Sequence, residues 1–145
     1  MNIYFDMDGT IADLYGVENW LSDLRAENVR PYAEAKPLVN FSQLARLLNK
    51  LTAQGNTVNI ISWGSRGGSD EYTEAVRQVK TAWIAKHLKS VHFNSILVLP
   101  YGTPKQEHGN GILFDDEEHN RTAWGKGAYT EKEIFTVLKK MVTEM

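Results

Sequence analysis

The chain reads as an α/β protein, with a mostly parallel sheet, helices on both faces and a three-layer, Rossmann-like arrangement. Three observations predict this. Short runs rich in apolar and β-branched residues recur at Asn2–Phe5, Thr57–Ile61, Ser95–Leu99 and Gly111–Phe114. Stretches with helical apolar spacing separate or follow most of them, and strands alternating with helices argue for parallel pairing. Several of the runs also end in polar residues: Asp6 and Asp8, Ser62, and Asp115 with Asp116. Right-handed crossovers carry the carboxyl ends of parallel strands to one rim, where open α/β sheets bind ligands.

The composition narrows the class. With 145 residues, 42% of them hydrophobic, the chain 1–145 is expected to form a single domain with a real core. A net charge of −2 gives no general attraction to nucleic acid or to anionic membrane, so neither is expected as a partner. The absence of cysteine excludes disulfides, thiolate metal sites and cysteine nucleophiles, and fits a reducing, cytoplasmic setting. No apolar stretch reaches the length of a membrane span. The first strand begins at residue 2, which leaves no room for a signal peptide.

Each element has its own justification. After Thr10, residues 11–40 read as an insertion, with a small cap-type unit around 14–40. Val17, Trp20, Leu21 and Leu24 recur at helical spacing and predict one short amphipathic helix. Pro31 and Pro37 are expected to break any continuation. Arg25 and Arg30, with Tyr15, Trp20 and Tyr32, are candidates to face a substrate. From Phe41, Leu44, Leu47, Leu48 and Leu51 form one apolar helix face, stopped by Gly55 and Asn56. The strand Thr57–Ile61 follows and ends at Ser62. A glycine-rich loop over 63–69 leads into a helix from Asp70 to Leu88, with Tyr72, Val76, Val79, Trp83 and Ile84 on its inner face. The strand Ser95–Leu99 closes at Pro100, and a loop through Pro104 and Lys105 reaches the strand Gly111–Phe114. Residues 117–124 predict one or two helical turns, and 127–129 a short fifth strand. Thr130 and Glu133 form a capping box for a last helix carrying Ile134, Val137, Leu138, Met141 and Val142.

The rim collects a specific chemistry. Asp6, Asp115 and Asp116 near one point make a Mg²⁺ site, with Asp8 contributing a backbone carbonyl. Phosphate completes such a shell, and Ser62 with neighbouring backbone N–H groups, that of Trp63 among them, can donate to its oxygens. Lys105 balances the acids and keeps them ionised. Lys80, Lys86 and Lys89 are alternatives, but their place on the long helix predicts solvent exposure. Arg66, in the glycine-rich loop, is a candidate for a second phosphate or base contact. The four histidines lack metal-ligand spacing, no Gly-x-Ser-x-Gly elbow surrounds Ser62, and the loop lacks the Gly-Lys-Ser/Thr ending of a nucleotide-triphosphate loop.

Asp6-Met7-Asp8-Gly9-Thr10 after an apolar strand resembles the first motif of the haloacid dehalogenase-like (HAD) phosphohydrolase superfamily. Ser62 is similar to its second motif, Lys105 to its third, and Asp115-Asp116 to its fourth, in the same order along the chain. The resemblance implies the HAD fold with a minimal helical cap, and a Mg²⁺-dependent phosphomonoester hydrolase working through an aspartyl-phosphate. It implies Asp6 as nucleophile and Asp8 as the acid that protonates the leaving group and later deprotonates water. Thr10 then positions the Asp8 loop, Ser62 binds the phosphoryl oxygens, and Lys105 bridges phosphate and Asp6. Asp115 and Asp116 ligate the metal, in an order that the sequence leaves open.

The expected substrate is a small phosphorylated molecule, with nucleotides foremost, because the Lys105…Asp115-Asp116 segment looks like that of small 5′-nucleotidases. Ser62…Arg66 and the Trp83 helix are also similar to the phosphatase half of polynucleotide kinases, which act on nucleic-acid 3′-phosphates. The net charge weighs against that second reading. A non-catalytic phosphate- or metal-binding module on the same fold is the alternative from another class.

Overall fold

The computed structural model describes residues 1–144. Five strands form one parallel sheet: β1 (Asn2–Phe5), β4 (Thr57–Trp63), β5 (Ser95–Leu99), β6 (Ile112–Phe114) and β7 (Ala128–Tyr129), in the order β5-β4-β1-β6-β7. Two two-residue strands, β2 (Ala12–Asp13) and β3 (Lys36–Pro37), pair antiparallel beside it. The helices are α1 (Trp20–Arg25), α2 (Arg30–Glu34), α3 (Phe41–Ala53), α4 (Asp70–His87), α5 (Glu118–Trp124) and α6 (Ile134–Glu144). Sheet and flanking helices make the three-layer α/β arrangement that the strand–helix alternation predicts.

The two faces are covered unequally. Ile3 and Phe5 of β1, Val58 and Ile60 of β4, and Ile112 and Phe114 of β6 join Leu44, Leu48 and Leu51 of α3, Trp83 and Ile84 of α4, and Ile134 and Leu138 of α6 in one core. The alternate residues Tyr4, Ile61 and Leu113 point the other way and pack with Leu97, Leu99 and Trp124. That second face carries only α5 and the segment between β5 and β6. Gly111, just before β6, passes close to the start of β1: with φ +116, a Cβ there would lie 2.4 Å from the Asn2 carbonyl oxygen.

Caps fix where the helices begin. Asn40 Oδ1 accepts from Gln43 N at 3.0 Å to start α3, and Ser69 Oγ accepts from Tyr72 N at 3.1 Å to start α4. The Thr130–Glu133 capping box is present, with Glu133 Oε1 accepting from Thr130 N at 2.9 Å. It opens a 3₁₀ turn that runs into α6.

Residues 11–40 hold more structure than one helix. A 3₁₀ turn (Leu14–Gly16), α1 and α2 follow in turn, and the β2–β3 pair closes the segment at its base. Pro31 does not break a helix; it sits in the first turn of α2, where a missing N–H costs nothing. No helix among the described residues is long and apolar enough to cross a membrane.

Candidate active site

β1 lies at the centre of the sheet, so the turn after it sits between the carboxyl ends of β4 and β6. Asp6 is buried there, its N–H donating to the Phe114 carbonyl at 2.9 Å, and Asp115 follows β6 directly, fully buried. Lys105, on the 3₁₀ turn Lys105–Glu107, reaches across to both. Its Nζ donates to Asp6 Oδ1 at 2.9 Å and to Asp115 Oδ2 at 2.8 Å, and lies 5.3 Å above the Trp63 ring. Thr10 Oγ1 lies 3.0 Å from Asp6 Oδ2 and 3.2 Å from Asp116 Oδ1, and accepts from Asp116 N at 3.1 Å. Both Asp6 oxygens are therefore held, and the carboxylate cannot rotate freely.

Asp6, Asp115 and Asp116 each offer a carboxylate oxygen within 4.8 Å of the others. Asp115 is anchored on every side: Asn120 Nδ2 donates to Oδ2 at 3.2 Å, Glu117 N to Oδ1 at 3.0 Å, and Arg121 Nη1 to its carbonyl at 3.0 Å. Gly9 makes room for the third acid. With φ +81, a Cβ at that position would fall 2.3 Å from Asp116 Oδ2. Three carboxylate oxygens so close, two of the acids buried and the third half-buried, could hold a metal ion.

The electrostatics follow from this crowding. Burial, with the Asp6 charge beside it, pushes the Asp115 carboxyl up to about 6 although Lys105 pulls the other way. Burial and Asp6 push Asp116 up to about 8. Burial opposes the Lys105 ammonium, but Asp6 and Asp115 outweigh it and hold the group above its ordinary range.

Asp8 stands apart from the trio. Its side chain turns to Lys80, whose Nζ donates to Asp8 Oδ2, Ser62 Oγ and the Trp63 carbonyl, each at 2.8 Å. Burial raises the Asp8 carboxyl above its usual range and Lys80 opposes the rise. Here the structure corrects the sequence reading. Lys86 and Lys89 are exposed as expected, but Lys80 is only 1% accessible and enters the rim beside Lys105. The signal was present: Tyr72, Val76, Lys80 and Ile84 step every four residues along the buried stripe of α4, so a lysine in that register faces inward.

The remaining candidates divide. Ser62 is fully buried in β4, opposite Val98. Trp63 directs its indole N–H to the Thr103 carbonyl at 2.8 Å, and its own carbonyl to Lys80. Arg66 and Arg25 are exposed, and neither forms an ion pair among the described residues. Both line a cleft of about 440 Å³ above the acids, together with Tyr15, Trp20 and Tyr32. Arg30 does not join them, because it is tied to Asp23 at 2.6 Å and to Glu34. Two aromatic edge-to-face pairs stand on the cleft wall, Tyr15–Trp20 and Trp63–Tyr101, both at 4.9 Å between centroids. His108 and His119 are exposed and line none of it. Asn120 and Glu117, at the acidic start of α5, also line the cleft, and the sequence reading singled out neither as a site residue.

Comparison of the chain with protein-family models and with curated protein sequences gives no match.

Proposed function

We propose that this protein is a Mg²⁺-dependent phosphomonoester hydrolase of the HAD type, acting through an aspartyl-phosphate on Asp6. One observation carries the reading: two acids two residues apart meet two different buried lysines, Lys105 on Asp6 and Lys80 on Asp8. That separates their tasks. Asp6, held by Lys105 and Thr10, is the nucleophile, and the Lys105 ammonium offsets its repulsion from an incoming phosphate. Asp8, raised by burial, is suited to carry a proton. The order of the four sequence motifs supports the same reading.

The chemistry balances in two steps. An Asp6 oxygen bonds to phosphorus as the bond to the leaving oxygen breaks, and Asp8 gives its proton to that oxygen. Water then attacks phosphorus, loses a proton to Asp8, and the Asp6–phosphorus bond breaks to release inorganic phosphate. Mg²⁺, held by Asp6, Asp115, Asp116 and the Asp8 carbonyl, would supply neutralisation of phosphoryl charge. Four carboxylates against two ammonium groups leave two excess negative charges if all are ionised, which a divalent cation cancels. The substrate we favour is a nucleotide. Tyr15, Leu21 and Tyr101 are three of the five large apolar residues that stand exposed among the described residues, and all three line this cleft, as a planar base would require. The exposed, unpaired Arg25 and Arg66 are what keep a polynucleotide 3′-phosphate as second reading.

The test is phosphate release from an aryl phosphate, a nucleoside monophosphate panel and an oligonucleotide 3′-phosphate, with Mg²⁺ and with chelator. Release is expected to need the metal and to fall on the order of 10³-fold or more in Asp6→Asn. Activity retained in that variant would overturn the covalent route. Binding of phosphate without turnover of any substrate would leave a binding module instead.

A further inference from the structure

We infer that Lys80 is a positioning residue that fastens the Asp8 carboxyl to the buried Ser62 hydroxyl and the end of β4, so that proton donation is aimed at one leaving-group position. The inference rests on the hydrolase reading above. An ammonium has three protons, and Lys80 spends all three on acceptors from three places: the turn after β1, the penultimate residue of β4 and the last carbonyl of β4. The Tyr32 ring, 4.8 Å from Nζ, covers the group, and the side chain is 1% accessible. A buried charge satisfied this completely has one geometry available to it.

The consequence falls on its partners' free atoms. Asp8 Oδ2 accepts from Lys80, while Oδ1 has no hydrogen-bond partner among the described residues, so Oδ1 is the oxygen left to carry and pass a proton. Ser62 Oγ also accepts from Lys80, which forbids its own proton from pointing that way. No hydrogen bond donated by Ser62 Oγ occurs among the described residues, and Ser62 is itself fully buried, so Lys80 ties Asp8 to a fixed point of β4. A lysine serving only to neutralise acids would not need to engage a hydroxyl and a carbonyl as well.

Leaving-group dependence separates positioning from bulk neutralisation. Proton donation matters little when the departing group is an acidic phenol and much when it is an alcohol. Lys80→Met is therefore expected to lower kcat/KM, which reads the step that expels the leaving group and not the shared hydrolysis of the aspartyl-phosphate, by about 10²–10³-fold on an alkyl phosphate and by about tenfold or less on p-nitrophenyl phosphate. An equal loss on both substrates, or none on either, would overturn the inference while the hydrolase reading stood. A wild-type protein that releases phosphate from neither would sink the hydrolase reading itself, and this with it. If Lys80→Met does not fold, the Lys80→Met/Asp8→Asn double variant removes both charges and is compared with Asp8→Asn alone. Lys80 acting through Asp8 then adds no further selectivity against the alkyl ester; a further selective loss overturns the inference.

Discussion

At the scale of single residues, the site is defined by how few water molecules can help it. Asp115 is fully buried, and Asp116 is pushed up to about 8 by burial and by Asp6. A raised carboxyl keeps a proton that the unfolded chain, with aspartates near about 4, has already lost. The metal-free fold is therefore favoured at low pH, and that advantage is lost as pH rises through about 6 and about 8, the values of Asp115 and Asp116. A cation binds the ionised form and must displace those protons, so its affinity runs the opposite way. The stabilisation by Mg²⁺ is expected to be small at pH 5 and to grow up to pH 8.5, with proton release on binding. Thermal melts with and without Mg²⁺ across that range, and calorimetry in buffers of different ionisation enthalpy, check it. A metal-induced shift that is constant with pH would contradict the protonated resting state.

At the scale of elements, the segment before α3 is fastened to the start of α4 at Ser69. Glu27, at φ +56, accepts from Ser69 N at 2.9 Å and from Ser69 Oγ at 2.7 Å, while Ser69 caps α4 through Tyr72 N. Tyr72 Oη donates to the Asn28 carbonyl at 2.8 Å and adds a second tie. Ser69→Ala removes a helix cap worth about 1 kcal/mol, and so lowers Tm by about 3 °C. It also loosens the Glu27 end of the segment that carries Trp20 and Tyr32 on the cleft wall, which the Tyr72–Asn28 and Trp83–Ala35 hydrogen bonds still hold to α4. The expected kinetic outcome is a KM raised severalfold with kcat changed less than about twofold, since no reacting group moves. A kcat that falls in step with KM unchanged would show that the tie acts on the chemistry instead. These elements also mark the limit of what the sequence reveals. The apolar spacing around Trp20 shows α1, but α2 is five residues long with Pro31 in its first turn, and neither periodicity nor a breaker rule detects that. Lys80 was hidden by the opposite habit: a lysine is read as solvated even when its register on α4 is the buried one.

At the scale of the whole molecule, the sheet was legible because its four longer strands are compact apolar runs and the long helices carry apolar stripes, that of α4 interrupted by Lys80. The placement of Asp6, Ser62, Lys105 and Asp115 on one rim follows from parallel pairing alone. What spacing could not show is the pairing of acids with lysines, because that depends on side chains converging from residues 72 positions apart in one case and 99 in the other. The same convergence sets global stability against function. Fully ionised, the acids at the rim would carry more negative charge than its two lysines cancel, so that in the absence of a cation their ionisation costs stability. Replacing one acid should therefore strengthen the empty fold and weaken the site. Asp116→Asn is the variant of choice, because Asp116 is half-buried, faces the space that Gly9 leaves open, and anchors no backbone as Asp115 does. At pH 8 without divalent metal its Tm is expected to rise by a few degrees, whereas the increment that Mg²⁺ gives the wild type, about 2.7 kcal/mol at a hundredfold excess over Kd, should shrink or vanish. The two melting curves then cross: the variant is the more stable protein in chelator and the less stable one in saturating Mg²⁺. Curves that keep the same order in both conditions would mean that Asp116 contributes packing rather than charge to the rim.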